Sequence, residues 1–213
     1  KKLNFNIFDL VVVNLYNFLD EIKKVNAKFN NCIDQIDIGG PTMIRASAKN
    51  YLNTVILTDP SQYENFINLA ETKKNSVSLD FRKYLAGEAF DRIALYDSHI
   101  ANWFNNNKFK NRLTLPFEKI KNLRYGENPH QKSSLYKIND NPIKQLSGKE
   151  LSYNNIIDIE IAIQLSFELN QKSCVIVKHS NPCGVASDLK QNNSYAKAYR
   201  SDSISAFGGI IAF

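Results

Sequence analysis

The stretch Asp9-Leu10-Val11-Val12-Val13-Asn14-Leu15 decides the fold class of this 213-residue chain. Its continuous apolar, β-branched run predicts a strand that is buried on both faces of a parallel sheet. The run Thr54-Val55-Ile56-Leu57-Thr58 predicts a second buried strand. Segments with helical spacing lie between and after the two runs, so the pattern indicates an α/β domain.

Three segments around these strands predict helices. Gly39-Gly40-Pro41-Thr42 predicts a glycine turn that leads into a helix over 43–50, because Pro suits the first helical turn. Ser61-Gln62-Tyr63-Glu64 has the spacing of a capping box. Apolar residues recur at steps of three and four from Leu79 to Phe104, which predicts one long amphipathic helix capped by Ser78.

A second α/β domain is expected after Arg112. Turn-rich sequence follows that residue, and then come helical spacing over 156–169, the buried run Cys174-Val175-Ile176-Val177 and helical spacing over 194–200. We therefore expect two domains, at 1–112 and 113–213. The chain begins without Met and stops inside an apolar run, so we expect both domains to be incomplete.

Composition narrows the classes of function. Hydrophobic residues make up 43% of the chain and charged residues 23%, as in ordinary globular proteins. The net charge of +6 is spread over scattered lysines without an arginine stripe, so binding to nucleic acid is not expected. The three cysteines form no paired pattern, and the apolar runs are too short for a membrane span. We expect a cytoplasmic enzyme that takes anionic metabolites.

The strongest local signal is Lys178-His179-Ser180-Asn181-Pro182-Cys183-Gly184, directly after the buried run that ends at Val177. The two basic residues are expected at a strand end, and Asn181-Pro182 predicts a turn. A histidine that titrates near neutrality can take a proton from an amine while the lysine ammonium stabilises developing charge. The alternative is a surface lysine with a histidine bonded to backbone, and the sequence leaves both open.

The same segment shares a histidine and a Pro-Cys pair with zinc deaminases, but its spacing differs from their metal site. Their signature needs Glu two residues after the His and a second Cys three residues after the first. Asn181 and Ala186 occupy those positions. We therefore expect no zinc.

A second candidate site surrounds the segment Ile36-Asp37-Ile38-Gly39-Gly40. Asp37 precedes a predicted helix N-terminus, where backbone N–H groups attract anions. Arg45 and Lys49 lie four residues apart and share a helix face, and Tyr16 follows the first strand at the sheet edge where α/β proteins bind ligands. The alternatives are a capped helix with a solvated basic face and an ordinary core or rim tyrosine.

The segment Arg124-Tyr125-Gly126-Glu127-Asn128-Pro129-His130-Gln131 is dense in functional side chains for a plain connector. Arg124 can contact an anion, and the Tyr125 ring can stack on a heterocycle, which suits a heterocyclic phosphate. The alternative is an ordered turn held by its own side chains.

Together these segments resemble, in order along the chain, the bifunctional family that joins aminoimidazole carboxamide ribonucleotide (AICAR) formyltransferase to inosine monophosphate (IMP) cyclohydrolase. The resemblance implies a methylglyoxal-synthase-like parallel-sheet domain for cyclohydrolase over 1–112. It implies the start of a cytidine-deaminase-like α/β domain for formyl transfer over 113–213, so the chain resembles an internal fragment. Its motifs are Val11 to Tyr16, Ile36 to Thr42 with Ala48 to Asn50, Arg124 to Gln131, Leu151 to Asn155, Val177 to Gly184, and Ser205 to Gly209.

For formyl transfer, the resemblance implies that His179 is the base on the AICAR amine and that Lys178 acts near the formyl group of 10-formyltetrahydrofolate, the co-substrate. Arg124 and Tyr125 would contact AICAR from the partner subunit of a homodimer. Asn155 and the loop at Gly208 are implied as further substrate contacts, while a monovalent cation stays an open question.

For ring closure, the resemblance implies that Tyr16, Asp37 and Lys49 act on formyl-AICAR, which closes to IMP with loss of water, with the role of each residue left open. Asn17 stands where the family usually has Pro, which loosens the turn after Tyr16. The expected partners are these nucleotides and a second copy of the chain, with no membrane. The alternative function is a non-catalytic nucleotide-binding or dimerisation fragment.

Overall fold

The computed structural model describes residues 7–72, 76–105, 109–138, 143–169 and 172–213. The chain divides into two units, Lys1–Phe117 and Glu118–Phe213. Both are mixed α/β: the first contains a small parallel sheet and the second contains two small antiparallel sheets. This division falls after Phe117, somewhat later than the domain boundary predicted after Arg112.

In the first unit, two parallel strands lie among helices, and Val11 of the first strand is opposite Ile56 of the second. A 3₁₀ turn at Pro60–Gln62 precedes the fourth helix. The elements are β1 (Leu10–Val12), α1 (Phe18–Ile22), α2 (Phe29–Asp34), α3 (Gly39–Lys49), β2 (Val55–Leu57), α4 (Tyr63–Thr72) and α5 (Leu79–Phe104).

The two strands differ in burial. Every residue of β2 is buried, as its sequence predicts. In β1, Val11 packs on the cluster formed by α3, β2 and α5, whereas Leu10 and Val12 are 39% and 47% exposed. The prediction that β1 is buried on both faces is therefore wrong. Successive residues of a strand face opposite sides, and the elements described in this unit bury only one side of β1.

The predicted helix starts agree with the structure in some cases and differ in others. The predictions for α5 are confirmed, since the helix spans Leu79–Phe104 and the Ser78 hydroxyl accepts from the Phe81 N–H at 3.2 Å. The predicted glycine turn is wrong, because Gly39 and Gly40 already form the first turn of α3. The predicted capping box at Ser61 is also displaced: Asp59 is the cap, paired with Gln62.

The second unit is built on a sheet in the order β6-β5-β7, with β5 in the centre and both neighbours antiparallel to it. A separate antiparallel hairpin precedes this sheet. The elements are β3 (Glu118–Asn122), β4 (Ser134–Lys137), α6 (Tyr153–Phe167), β5 (Ser173–Lys178), β6 (Asn181–Ser187), α7 (Gln191–Ser201) and β7 (Ile210–Ala212).

The predicted buried strand is confirmed in β5, whose alternating side chains face two helices. Cys174 and Ile176 pack with Ala198 of α7. Val175 and Val177 pack with α6. A helix therefore covers each face of the sheet, which fixes the end of β5 between α6 and α7.

Candidate active site

A tight turn joins β5 to β6 and carries two of the predicted catalytic residues. Lys178 ends β5 and pairs with Asn181, the first residue of β6, so only His179 and Ser180 form the loop. Their φ angles are 54° and 63°, in the left-handed region that side chains with a Cβ disfavour. The turn predicted at Asn181-Pro182 is therefore wrong by position, because the chain reverses at His179-Ser180 and Pro182 lies within β6.

Helix α6 forms a hydrogen bond with the backbone of this turn. The Ser180 N–H donates to Oδ1 of Asp158 at 2.8 Å, and Asp158 is only 9% exposed. The Asn181 side-chain amide donates to the His179 carbonyl at 3.0 Å. The His179 residue itself is exposed. The backbone of the turn is thus fixed by neighbouring groups while the imidazole is accessible.

Lys178 and the loop at Gly208 are brought together. The Lys178 ammonium donates to the Phe207 carbonyl at 2.7 Å, next to Gly208, whose φ is 75°. Hydrogen bonds from Ser205, with a smaller contribution from the nearby Lys178 charge, hold the pKa of the Asp202 carboxyl below its usual value. The Lys178 ammonium therefore binds a carbonyl and lies near a carboxylate.

The loop that carries Arg124 and Tyr125 is attached to the start of α6. The Arg124 N–H donates to the Leu151 carbonyl at 3.0 Å, and the Tyr153 N–H donates to the Tyr125 carbonyl at 3.1 Å. The Arg124 guanidinium lies 4.7 Å from the centre of the Tyr125 ring and donates to its hydroxyl at 3.0 Å. The two predicted substrate contacts therefore form one unit, a cation stacked on an aromatic ring.

Asn155 caps α6. Its side-chain oxygen accepts from the Ser152 N–H at 3.1 Å and from the Ser152 hydroxyl at 3.0 Å, and the Ser152 hydroxyl in turn accepts from the Asn155 N–H at 3.3 Å. This capping box starts the helix at Tyr153, earlier than the predicted range of 156–169. Asn155 therefore stabilises the start of α6, in addition to its predicted contact with substrate.

Sequence reasoning did not single out Asp158. The only signal was its spacing: Asp158 lies three residues after Asn155 on the same helix, so the two share a face. The first turns of α6 thus contact the Arg124 loop, through Tyr153, and the His179 turn, through Asp158.

In the first unit, the Asp37 carboxylate caps α3 by accepting from the Gly40 N–H at 2.7 Å. The Asp37 N–H donates to the Tyr96 hydroxyl at 2.8 Å, and that hydroxyl donates to the Gln35 carbonyl at 3.2 Å. Burial raises the pKa of Tyr96, so the phenol keeps its proton at neutral pH. Asp37 is thus held on both its side chain and its backbone.

Tyr16 and Lys49 lie differently with respect to Asp37. Tyr16 is 57% exposed and follows Leu15, which packs against Gly40 beside Asp37. Lys49 is exposed in the last turn of the 11-residue α3. At 1.5 Å per residue, the helix separates Lys49 from Asp37 by about 16 Å along its axis. Tyr16 therefore follows a residue that lies near Asp37, whereas Lys49 lies at the other end of α3.

The described part of the chain holds no group of three or more His, Cys, Asp or Glu residues that could hold a metal ion. Among the same residues, no helix is both long and apolar enough to cross a membrane.

Comparisons with known proteins connect both units to one family. The profile of the AICARFT/IMPCHase bienzyme family matches residues 47–213. The bifunctional purine biosynthesis protein PurH of Caldicellulosiruptor saccharolyticus is 47% identical over 99% of this chain, and that of Acetivibrio thermocellus is 46% identical over 100% of it. A crystal structure of ForH, with 29% identity, covers 48% of this chain and 53% of its own, at a TM-score of 0.38.

The chain spans 43% of the length of both PurH relatives. The family profile covers residues from 47 onwards, and the relatives align over nearly the whole chain, including the segments that hold Tyr16 and Asp37. The chain belongs to the AICARFT/IMPCHase bienzyme family.

Proposed function

We propose that this protein acts in purine biosynthesis, with residues 113–213 contributing to formyl transfer to AICAR and residues 1–112 contributing to ring closure to IMP. Family membership supports both activities. The observation that carries the proposal is the exposed His179 beside Lys178 on a turn held by buried Asp158. We assign the first domain to a methylglyoxal-synthase-like fold and the second to a cytidine-deaminase-like fold without zinc, in a cytoplasmic homodimer.

In formyl transfer, 10-formyltetrahydrofolate supplies the formyl group. His179 takes the proton from the AICAR amine as its nitrogen bonds to the formyl carbon, and the bond from that carbon to the folate nitrogen breaks. Lys178 must exchange its contact with the Phe207 carbonyl for one with the formyl oxygen, where its ammonium stabilises the negative charge of the transition state. The proton then passes to the leaving folate nitrogen.

For AICAR binding, the proposal gives Arg124 the anionic part of the nucleotide and Tyr125 the heterocycle. The Arg124 guanidinium is exposed and oriented by its stack on Tyr125. Because the guanidinium is already oriented, less conformational entropy is lost when the nucleotide binds. Asn155 and Gly208 complete the proposed contacts, Gly208 through a loop whose backbone Lys178 already touches.

For ring closure, the proposal has Tyr16 and Asp37 serve proton transfer as the carboxamide nitrogen attacks the formyl carbon and water leaves. Leu15, the residue before Tyr16, lies close to Gly40 beside Asp37, which supports joint action. Lys49, about 16 Å away along α3, makes a separate contact in this proposal and does not act in concert with Asp37.

The alternative is a non-catalytic nucleotide-binding or dimerisation fragment. It is favoured by one observation, the 43% of the relatives' length that the chain spans. Turnover of either substrate by the 213-residue chain would exclude this alternative.

The test of the proposal is His179→Ala in the protein that carries this sequence, at its full natural length. Loss of a general base predicts a fall in formyl transfer of about 100-fold or more, with ring closure unchanged. Asn192→Ala, an exposed residue of α7, is the control and keeps both activities. Formyl transfer at the wild-type rate in His179→Ala would refute the assignment of His179.

A further inference from the structure

We propose that Asp158 is a positioning residue for formyl transfer, which holds the His179-Ser180 turn in its left-handed conformation through the Ser180 N–H. This inference rests on the proposed function of His179. Asp158 lies on α6, outside the turn, and its carboxylate reaches the Ser180 N–H at 2.8 Å.

The turn needs an external contact because its own residues disfavour its shape. Two-residue hairpin loops with positive φ at both central positions normally use Asn-Gly or a similar pair, since glycine has no Cβ. Here the pair is His179 and Ser180, which are also the two non-glycine residues with positive φ in the described ranges of the chain. Strained backbone of this kind persists where surrounding groups hold it, and such strain concentrates at functional sites.

Asp158 is suited to that task by burial and by its place on a rigid element. The residue is 9% exposed, and a buried carboxylate needs a hydrogen-bond donor, which the Ser180 N–H supplies. One turn further along α6, Ala162 is fully buried with Val175 and Val177 of β5. The helix that carries Asp158 is therefore packed against the strand that leads into the turn, so the carboxylate fixes the direction in which His179 leaves β5.

The alternative is that the Asp158 charge, and not its geometry, supports catalysis. Two substitutions separate these possibilities. Asp158→Asn removes the charge but keeps an acceptor oxygen at the same place, whereas Asp158→Glu keeps the charge and moves it by one methylene. Positioning predicts that Asn preserves formyl transfer and that Glu impairs it.

The experiment measures kcat and KM for formyl transfer in the full-length protein. Asp158→Ala and Asp158→Glu are expected to lower kcat at least about tenfold, because a small misplacement of a reacting group costs this much or more. The KM for AICAR and the rate of ring closure are expected to stay within about twofold, and Asp158→Asn to stay near wild type. Adding Ser180→Gly to Asp158→Ala should recover most of the lost kcat, because glycine adopts positive φ without the anchor.

Asp188→Ala is the matched control. Asp188 is also an aspartate of this unit with structural bonds, to the Lys190 N–H at 3.0 Å and to the Lys197 ammonium at 2.7 Å, but these stabilise α7. Its loss is expected to lower stability without changing kcat per folded molecule. Wild-type kcat in Asp158→Ala, or equal losses in Asp158→Ala and Asp188→Ala, would overturn the proposal.

Amide hydrogen exchange at Ser180 gives a readout that does not depend on activity. The positioning role predicts faster exchange in Asp158→Ala than in wild type, with Asp158→Asn close to wild type. Unchanged exchange would overturn the inference even if formyl transfer fell. If instead His179→Ala left formyl transfer intact, the proposed function would fail while the role of Asp158 in holding the turn would still be decided by this exchange.

Discussion

At the scale of single residues, Gly40 lies close to both Asp37, a residue of the proposed ring-closure site, and Leu15, which packs on the core of the first unit. A Cβ built there would lie 2.4 Å from Oδ2 of Asp37 and 2.9 Å from Cδ2 of Leu15, whereas a Cβ at Gly39 would meet nothing within 4 Å. The glycine is thus required by close approach, not by a positive φ. The sequence alone cannot distinguish these two reasons, since both appear as Gly.

Gly40→Ala is therefore expected to destabilise the protein by about 1–3 kcal/mol and to slow ring closure, because it displaces the Asp37 carboxylate. Gly39→Ala is the control and is expected to be neutral or to stabilise α3 by up to about 1 kcal/mol, since Ala favours helix. Urea denaturation and a ring-closure assay check both expectations. Equal stability of the two variants would refute the close-approach argument.

Tyr96 provides a second residue-level prediction. Its hydroxyl bonds to both the Asp37 N–H and the Gln35 carbonyl, so Tyr96→Phe leaves two partly buried backbone groups without that partner. We expect a loss of about 1–2 kcal/mol of stability and slower ring closure. Tyr84→Phe, at a tyrosine that is 56% exposed on the same helix, is expected to change neither quantity. Thermal denaturation of both variants would show whether the Tyr96 hydroxyl matters.

At the scale of secondary-structure elements, the start of α4 should make a contribution to stability that is present at neutral pH and lost in acid. Hydrogen bonds from Ser61, together with the Arg92 guanidinium 2.6 Å from Oδ2, hold the pKa of the Asp59 carboxyl below its usual value, against the opposing effect of partial burial. A lowered folded-state pKa stabilises the protein above the unfolded value of 3.8. That contribution is lost as the pH falls through the lowered folded-state pKa.

Asp59→Asn is thus expected to lose less stability than wild type between about pH 7 and pH 3, because the amide keeps the cap but does not titrate. The control Asp91→Asn, at an exposed aspartate of α5, should retain the wild-type pH dependence. Urea midpoints measured across this range test the difference. Parallel pH profiles for Asp59→Asn and wild type would contradict the role of Asp59.

The same scale shows how far sequence reasoning reaches. Helix α5 was predictable because its cap at Ser78 and its apolar spacing are both local. Strand β5 was predictable because a strand with helices on both faces is continuously apolar. Strand β6 was missed because Pro182 resembles a turn residue, and proline is tolerated towards the edge of a sheet.

The sequence marked candidate residues, but it did not predict the contacts that hold them. Lys178 and His179 stood out by residue type and by their place after a buried strand. Asp158 did not, because its contact with Ser180 joins residues 22 positions apart and depends on how α6 packs on β5. For Lys49, only the length of α3 reveals the distance from Asp37.

At the scale of the whole molecule, the proposed homodimer predicts that each active site needs residues from both subunits. The proposal gives the site of one subunit its His179 from that subunit and its Arg124 from the partner, and the Arg124 residue is exposed and so accessible to a second chain. A heterodimer of His179→Ala and Arg124→Ala subunits then contains one site with both substitutions and one site with neither.

We expect each variant alone to have lost formyl transfer. Refolding an equal mixture of the two is therefore expected to restore about a quarter of the wild-type formyl transfer, since half of the dimers are mixed and each has one intact site of two. A mixture of His179→Ala and Lys178→Ala is the control and should stay inactive, because both residues belong to the same turn and every site then carries one substitution. An inactive first mixture would instead assign Arg124 to the site of its own subunit, where both it and His179 would be anchored by α6.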